Sequence, residues 1–533
     1  MANYNLIVSN FIAKVEKEIK NKLSEYQKAI LYRVADNFDT NENLAISAVA
    51  GSGKTFTILL CCRMLSQIFR LGKFDIKFLA FNNSIVKELS YKIGNYADVS
   101  TLHSFGYSVL KKIAGKDRKF DINDRKYINI IKNDNILSLN RDDKDYIKAL
   151  NNADKLFRLC RINLIQQGDT ESIKAICEEH SITPLANEVS VVDMLLADAY
   201  ELDLNGKLEI DFTDMLVLPL SYPQQIPSYK VVFIDECQDL SAAQRELMLA
   251  AAKGGRFVAV GDRRQAINGF AGADCQSFNK IATLPNTKEL PLSVNYRCGY
   301  NIIELAQEVV PEIQAHQGAI AGEVSSTNNV TLDTFKANDM VLCRTAAPLV
   351  VMCLKLIRAG VTAVVKGRDI ANGLITMIDK SKAKTIKGFE TWADNEKNKL
   401  AKEIAKKENM TPEEAKESGR YIAYCDRVDC ILCIGENVSN LEQVKNTIEQ
   451  LFNDANIANA VTFSTCHKSK GLESDRVVIL LPNKLPLTWK GQKDWELEQE
   501  MNLRYVAITR AKKELVFVNV EQKDLFAVEF NKK

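Results

Sequence analysis

The sequence predicts an α/β protein built from two parallel-sheet units, each carrying a mostly helical insertion. Three observations predict it. Apolar runs of strand length alternate with helical stretches over about residues 44–106, and the rhythm resumes at Val231, as in parallel β–α–β units. A second alternating series begins near Lys288 and continues to the end of the chain. The chain has 533 residues, too many for one hydrophobic core, so three to four units of ordinary domain size are expected.

Taken in order, the first forty residues read as helical, with Phe11, Val15, Ile19 and Leu23 at helical spacing. Strands are expected at 44–49, 76–81 and 99–102. From 107 to 195 the text turns to charged, Asn- and Lys-rich helices with no clear strand. Strands return at 231–234 and 256–260. In the second series, strands at 339–343 and 362–365 flank a helix at 347–359. A Lys- and Glu-rich helical stretch interrupts from about 370 to 457. Its run at 396–418 reads as a solvated face. Strands follow at 461–464, 476–481 and 514–518. The expected organisation is one unit of 1–106 and 196–285 with insertion 107–195, and a second of 286–369 and 458–533 with insertion 370–457. No internal repeat or low-complexity segment is visible.

Two stretches carry chemistry. Ala48-Val49-Ala50-Gly51-Ser52-Gly53-Lys54-Thr55 follows an apolar strand and precedes a helical run. Strand, Gly-rich turn and helix is the context of a phosphate loop. Glycines let backbone N–H groups close on phosphates at the positive end of the helix. Lys54 would reach the β and γ phosphates and Thr55 would ligate Mg²⁺. Ala48 stands where the general motif has its first Gly. The second stretch is Val231-Val232-Phe233-Ile234, a buried-strand pattern, running into Asp235-Glu236-Cys237-Gln238-Asp239. A strand ending in Asp-Glu can hold Mg²⁺ through Asp235 and orient a water through Glu236.

Composition sets limits. Formal charge is +2 with 46% hydrophobic and 26% charged residues, the values of an ordinary globular protein. A nucleic-acid groove must therefore be a local patch. The 13 cysteines are scattered. Cys430-Ile431-Leu432-Cys433 has no partner pair at zinc spacing, so helix or strand residues are expected there. The odd cysteine count and the lack of a signal peptide predict a reducing cytoplasm. No apolar run reaches membrane-spanning length.

The ordered motifs resemble the UvrD/Rep-type superfamily 1 DNA helicases along nearly the whole chain. Phe81-Asn82-Asn83-Ser84 and the small second insertion look most like the F-box DNA helicase branch or compact phage relatives. The resemblance implies two RecA-like domains, 1A and 2A, with insertions 1B and 2B. Leu23-Ser24-Glu25-Tyr26-Gln27 is similar to the Q motif, which implies that Gln27 reads the adenine edge with its amide. Ala80-Phe81-Asn82-Asn83 is similar to motif Ia and implies that Phe81 stacks on a base. Thr101-Leu102-His103-Ser104-Phe105 resembles motif Ib, placing His103 on the DNA backbone. Asp211-Phe212-Thr213-Asp214-Met215 looks like a family segment ahead of motif II, and a capped helix start explains it equally well. Val260-Gly261-Asp262-Arg263-Arg264-Gln265 resembles motif III, with Gln265 sensing the γ-phosphate and Phe270 downstream stacking on a base. Asn268 replaces a common Tyr there and Ala271 a common Arg. In the resembling family Gln238 and Asp239 link the hydrolysis site toward this motif.

Asn295-Tyr296-Arg297 matches motif IV, implying that Tyr296 stacks on adenine and Arg297 contacts the γ-phosphate. Thr465-Cys466-His467-Lys468-Ser469-Lys470-Gly471-Leu472-Glu473 resembles motif V. It implies DNA contacts from Thr465 and His467 and a ribose contact from Glu473. Tyr505-Val506-Ala507-Ile508-Thr509-Arg510-Ala511 resembles motif VI, with Arg510 as the arginine finger. The resemblance implies an ATP site between the two α/β units, using Gly51, Ser52, Gly53, Lys54 and Thr55. It further implies ATP and Mg²⁺ as cofactors, hinge closure on ATP, and 3′ to 5′ movement on single-stranded DNA. Expected partners are single-stranded DNA and single-strand/duplex junctions, with replication or repair proteins besides. A monomer is expected, with no membrane partner. The short run after motif VI makes an appended nuclease unexpected. Two other readings stay open: a DNA-bound translocase that displaces proteins and unwinds poorly, and a nucleotide-binding scaffold without catalysis.

Overall fold

In the computed structural model the described residues are 4–530 except 37–39, 81, 116–117, 181, 203–207, 268, 270–273, 275, 437 and 453–456. The chain divides into two compact units, residues 1–49 with 53–293, and residues 294–533 with 50–52.

The first unit holds a six-stranded sheet of β1 (Asn43–Ala48), β2 (Ile76–Ala80), β3 (Asp98–Thr101), β4 (Val231–Ile234), β5 (Arg256–Gly261) and β6 (Thr287–Leu292). Its order is β3-β2-β4-β5-β1-β6, and every pairing is parallel. Every residue of β2, β4 and β5 is buried, because a parallel sheet is covered on both faces. Alternation decides which cover each residue meets. Val231 and Phe233 pack with Ile58, Met64 and Leu89 on one face. Val232 and Ile234 pack with Phe105, Leu247 and Phe278 on the other. Burying a side chain such as Phe233 stabilises by roughly 2–3 kcal/mol, so a one-residue slip of this strand would be costly.

The insertion helices Lys126–Asn133, Tyr146–Ile162, Thr170–Glu179 and Glu188–Leu196 build a core of their own from Leu156, Phe157, Cys160, Ile173 and Val192. The expectation of no strand here needs one correction. Asp121–Ile122 pairs in parallel with Glu209–Ile210, and two residues are too few to show a period in sequence. A second correction concerns the boundary expected at 285/286. Strand β6 pairs with β1 over Asn43 to Ala48, so the division falls after Ser293. Its sequence Thr-Lys-Glu-Leu-Pro-Leu is half exposed at the sheet edge, which hides its allegiance.

The second unit holds β7 (Glu323–Thr327), β8 (Met340–Cys343), β9 (Ala363–Val365), β10 (Val461–Thr465), β11 (Ser474–Leu480) and β12 (Ala511–Val518). Their order is β7-β12-β11-β8-β10-β9, all parallel. The insertion helices Arg368–Ser381, Ile386–Glu408, Gly419–Gly435 and Leu441–Leu451 share most of their core with the sheet, and Ala401, Ile404, Ala405 and Ala415 form a small cluster apart. Phe389, Val428, Ile431 and Val444 share one cluster with Val341 and Phe463. The Asp426 carboxylate ties the insertion down by accepting from the N–H groups of Ala346 (2.8 Å) and Ala347 (2.9 Å), where helix Ala347–Arg358 starts. Burial pushes this carboxyl above its ordinary range. Helix Ile386–Glu408 buries Phe389, Ala393, Ala401, Ile404 and Ala405 and leaves Lys399, Lys402 and Lys406 exposed. Cys430 and Cys433 both lie on helix Gly419–Gly435, with Cys430 in the core.

Candidate functional site

In the first sheet β4, β5 and β1 are neighbours and parallel, so their C-terminal ends converge. Ligands of such sheets bind outside those ends. The end of β1 leads into the Gly-rich loop, where Gly51 has φ +64° and Gly53 φ +76°. Both are left-handed positions that suit glycine. Ser52 is buried, and helix Lys54–Phe69 begins at once.

The end of β4 faces that helix start. Lys54 Nζ lies 2.9 Å from Glu236 Oε1. Thr55 Oγ1 donates to Asp235 Oδ2 at 2.6 Å. Burial, and then the adjacent Glu236 charge, push Asp235 up to about 6. Burial works against the Lys54 ammonium, but the carboxylates of Glu236, Asp262 and Asp235 outweigh it and raise its pKa. Three acids crowd one buried lysine. A carboxylate and a hydroxyl this close suit Mg²⁺, which takes few protein ligands and completes its shell with phosphate oxygens and water. The donor set therefore fits that ion. Glu236 itself sits at φ +55°, an uncommon conformation for a non-glycine residue and frequent at functional sites. Its N–H donates to Asp235 Oδ1 at 2.9 Å.

A hydrogen-bond chain leaves Glu236 along the sheet end. Gln238 Nε2 donates to Glu236 Oε2 and to Asp239 Oδ2. Gln238 Oε1 accepts from the Asp262 N–H at 3.0 Å. Asp262 Oδ2 accepts from Gln265 Nε2 at 2.7 Å. Gln265 is therefore reached through two side chains. Gly261 leaves room for this chain, since a Cβ there would lie 2.6 Å from Gln238 Oε1 and 2.8 Å from Cys237 Sγ. Gly261→Ala is expected to keep nucleotide binding and slow turnover about tenfold, a barrier change the size of one lost hydrogen bond. Steady-state phosphate release beside nucleotide titration checks it.

Gln27 is buried, with Oε1 accepting from the Ser24 N–H (3.0 Å) and Nε2 donating to Thr57 Oγ1 (3.2 Å). Thr57 donates in turn to the Gly53 carbonyl, so Gln27 stands beside the phosphate loop. His103 is half-buried on helix Leu102–Ala114 and meets Phe212 edge-on, with ring centroids 6.3 Å apart. Burial lowers the His103 pKa. Phe81, Asn268, Phe270 and Ala271 lie outside the described residues.

In the second unit Asn295 Oδ1 accepts from the N–H groups of Arg297 (2.8 Å) and Cys298 (2.7 Å). Arg297 Nε donates to Glu473 Oε2 at 2.7 Å and Nη1 to the Thr509 carbonyl at 3.1 Å. Lys512 Nζ lies 2.7 Å from Glu473 Oε1. Burial works against the Glu473 charge, but Lys512 and Arg297 prevail and lower its pKa. Glu473 thus holds two cations, a task the sequence did not suggest. Arg510 is buried and donates to the carbonyls of Val506 and Leu472 and to Thr509 Oγ1. Thr465 ends β10 and accepts from the Lys468 N–H. His467 follows, its pKa pushed down by burial, Arg344 and Lys468.

Residues 32–285 match the UvrD/REP helicase N-terminal domain, and residues 372–522 match the UvrD-like helicase C-terminal domain. The chain belongs to the UvrD/Rep-type superfamily 1 helicase family. The first match contains Lys54, Asp235, Glu236 and Gln265, and the second Thr465, His467, Glu473 and Arg510. Tyr296 and Arg297 fall between the two. The chain is similar to the ATP-dependent DNA helicase PcrA of Staphylococcus epidermidis, 27% identical over 317 residues, covering 55% of this chain and 40% of the relative. To PcrA of Staphylococcus aureus it is 28% identical over 298 residues, covering 51% and 38%. The chain thus spans about 40% of the length of these curated relatives. No helix among the described residues is long and apolar enough to cross a membrane.

Sequence reading missed two polar groups in this helicase-family chain. Arg344 forks onto Glu500 with contacts of 2.6–3.0 Å. Arg161 is buried against Asp211 and Asp214. The partners stand 156 residues apart in the first group and 50 and 53 in the second, and nothing in spacing announces them. Helical periodicity on Tyr146–Ile162 was the available signal, since Arg161 falls on its buried face.

Proposed function

We propose that the protein is an ATP-dependent DNA helicase that moves 3′ to 5′ on single-stranded DNA. The observation that carries this reading is the meeting of Lys54 with Glu236 and of Thr55 with Asp235, at the sheet end where the phosphate loop opens. Lys54 and the loop N–H groups bind the triphosphate. Thr55 and Asp235 hold Mg²⁺, which neutralises charge on the phosphate oxygens when bound. Glu236 orients and deprotonates the attacking water. Gln265 reports on the γ-phosphate through Asp262 and Gln238. The second unit contributes Tyr296 to the adenine, Glu473 to the ribose, and Arg297 and Arg510 to the γ-phosphate. Arg510 must first leave its carbonyl partners, so its engagement is a conformational step. DNA is gripped by Phe81, His103, Phe270, Thr465 and His467.

The protein acts as a monomer in the cytoplasm on single-strand/duplex junctions, in concert with replication or repair proteins. Phosphate release with single-stranded DNA, with RNA and with neither tests the reading. Strong stimulation by DNA alone is expected, followed by unwinding of duplexes with a 3′ tail. Equal rates in all three conditions would reject it, and unwinding from a 5′ tail would reverse the polarity.

A further inference from the structure

The geometry points to His316 as a positioning residue for the nucleotide base, acting through Tyr296. This rests on the reading of Tyr296 as the adenine-stacking residue. The His316 imidazole lies on the Tyr296 ring with centroids 5.4 Å apart and planes at 23°. An offset parallel pair of this kind is favourable beyond the area it buries.

His316 is itself fixed at several points of backbone and ring. Its backbone N–H donates to the Asn295 carbonyl at 3.1 Å, the residue before Tyr296. The segment Gln314–Ala315 pairs in parallel with Val294–Asn295, bringing the two segments side by side. His316 Nδ1 accepts from the Gly318 N–H at 2.9 Å, and the His316 carbonyl accepts from the Ala319 N–H at 2.9 Å. A Cβ at Gly318 would lie 2.9 Å from His316 Cε1, so glycine there lets the ring fold over. From the other side, Asn295 Oδ1 holds the N–H groups of Arg297 and Cys298. Tyr296 is thus pinned in backbone by Asn295 and in ring plane by His316. A ring already held in one orientation loses little freedom when a base stacks on its opposite face.

His316→Ala is expected to weaken ATP binding about three- to tenfold, raising KM with kcat at saturating ATP unchanged. Inorganic triphosphate, which lacks base and ribose, should compete as well against the variant as against the parent. His316→Phe, which restores an aromatic face, should recover most of the ATP affinity. Unchanged ATP affinity in a folded His316→Ala protein overturns the inference, as does an equal loss for ATP and triphosphate. If the parent itself fails to bind ATP, the functional reading fails instead, and the two failures are separable.

Discussion

Glu236→Gln is expected to bind ATP as well as the parent and to turn it over about a hundred- to ten-thousandfold more slowly, the usual contribution of a positioned base. The carboxylate is held by Lys54 at 2.9 Å and by the Gln238 amide, on a backbone kept at φ +55°. Holding a non-glycine residue there costs on the order of 1–3 kcal/mol, which the surrounding hydrogen bonds offset. Glutamine keeps the size but can neither accept a proton from water nor carry the charge. The fold should tolerate the change, because Lys54 keeps Asp235 and Asp262 as counter-charges. Removing one negative group from the phosphate site should leave ATP affinity equal or higher. Titration with a fluorescent ATP analogue and phosphate release measure the two effects separately. Turnover above about a tenth of the parent rate, a barrier change under about 1.4 kcal/mol, would remove Glu236 from the base role.

Much of this site was legible because its residues sit at ends of strands that bury both faces. Val231–Ile234 is a strand over the four residues expected, since an unbroken apolar run between Lys230 and the acids Asp235 and Glu236 admits few alternatives. The partners of those acids were equally readable, since the strand before the loop and the strand before Asp235 belong to one parallel series. What sequence hid is of two kinds. Edge strands such as β7, Glu-Val-Ser-Ser-Thr, are largely exposed and carry no apolar period. Long-range polar pairing has no local signature. Nothing in the sequence singles out His316, whose stacking on Tyr296 depends on a backbone pairing twenty residues apart. Arg510 was legible as a residue but not as a posture, because its carbonyl partners Val506 and Leu472 are backbone groups that any sequence would offer.

Arg161→Leu is expected to destabilise the first unit by about 3–5 kcal/mol, the cost of breaking a buried ion pair by removing one partner. Arg161 is fully buried, 3.2 Å from Asp211 and in close contact with Asp214. Its guanidinium also lies over the rings of Tyr127 (4.6 Å) and Phe157 (5.2 Å). Lys126 Nζ, 2.9 Å from Asp214, is the second cation, so two acids meet two bases. Burial works against the Asp214 charge, but Arg161 and Lys126 prevail and lower its pKa, whereas burial raises that of Asp211. In the parent Asp214 therefore contributes stability above the ordinary carboxylate pKa of about 4, lost as pH falls through its lower folded value. Asp211 contributes with the opposite sign. Without Arg161, Lys126 is the remaining cation beside Asp214, burial weighs more at both acids, and each folded pKa rises from its value in the parent. The variant should then lose stability relative to the parent as pH rises above the ordinary carboxylate value. Its deficit against the parent should be widest at neutral pH, on the order of 10 °C in the melting midpoint, and narrow on acidification. Asp214→Asn in the same chain should recover part of the loss. The effect should reach the residue proposed to contact DNA, because helix Asp214–Val217 packs on helix Leu102–Ala114, where Gly106 meets the Met215 carbonyl without room for a Cβ. His103 is carried on that helix. DNA-stimulated turnover should therefore fall at temperatures where basal turnover survives. A variant that melts with the parent, or whose deficit grows in acid, would show that Arg161 is not the charge partner that holds the insertion to the sheet.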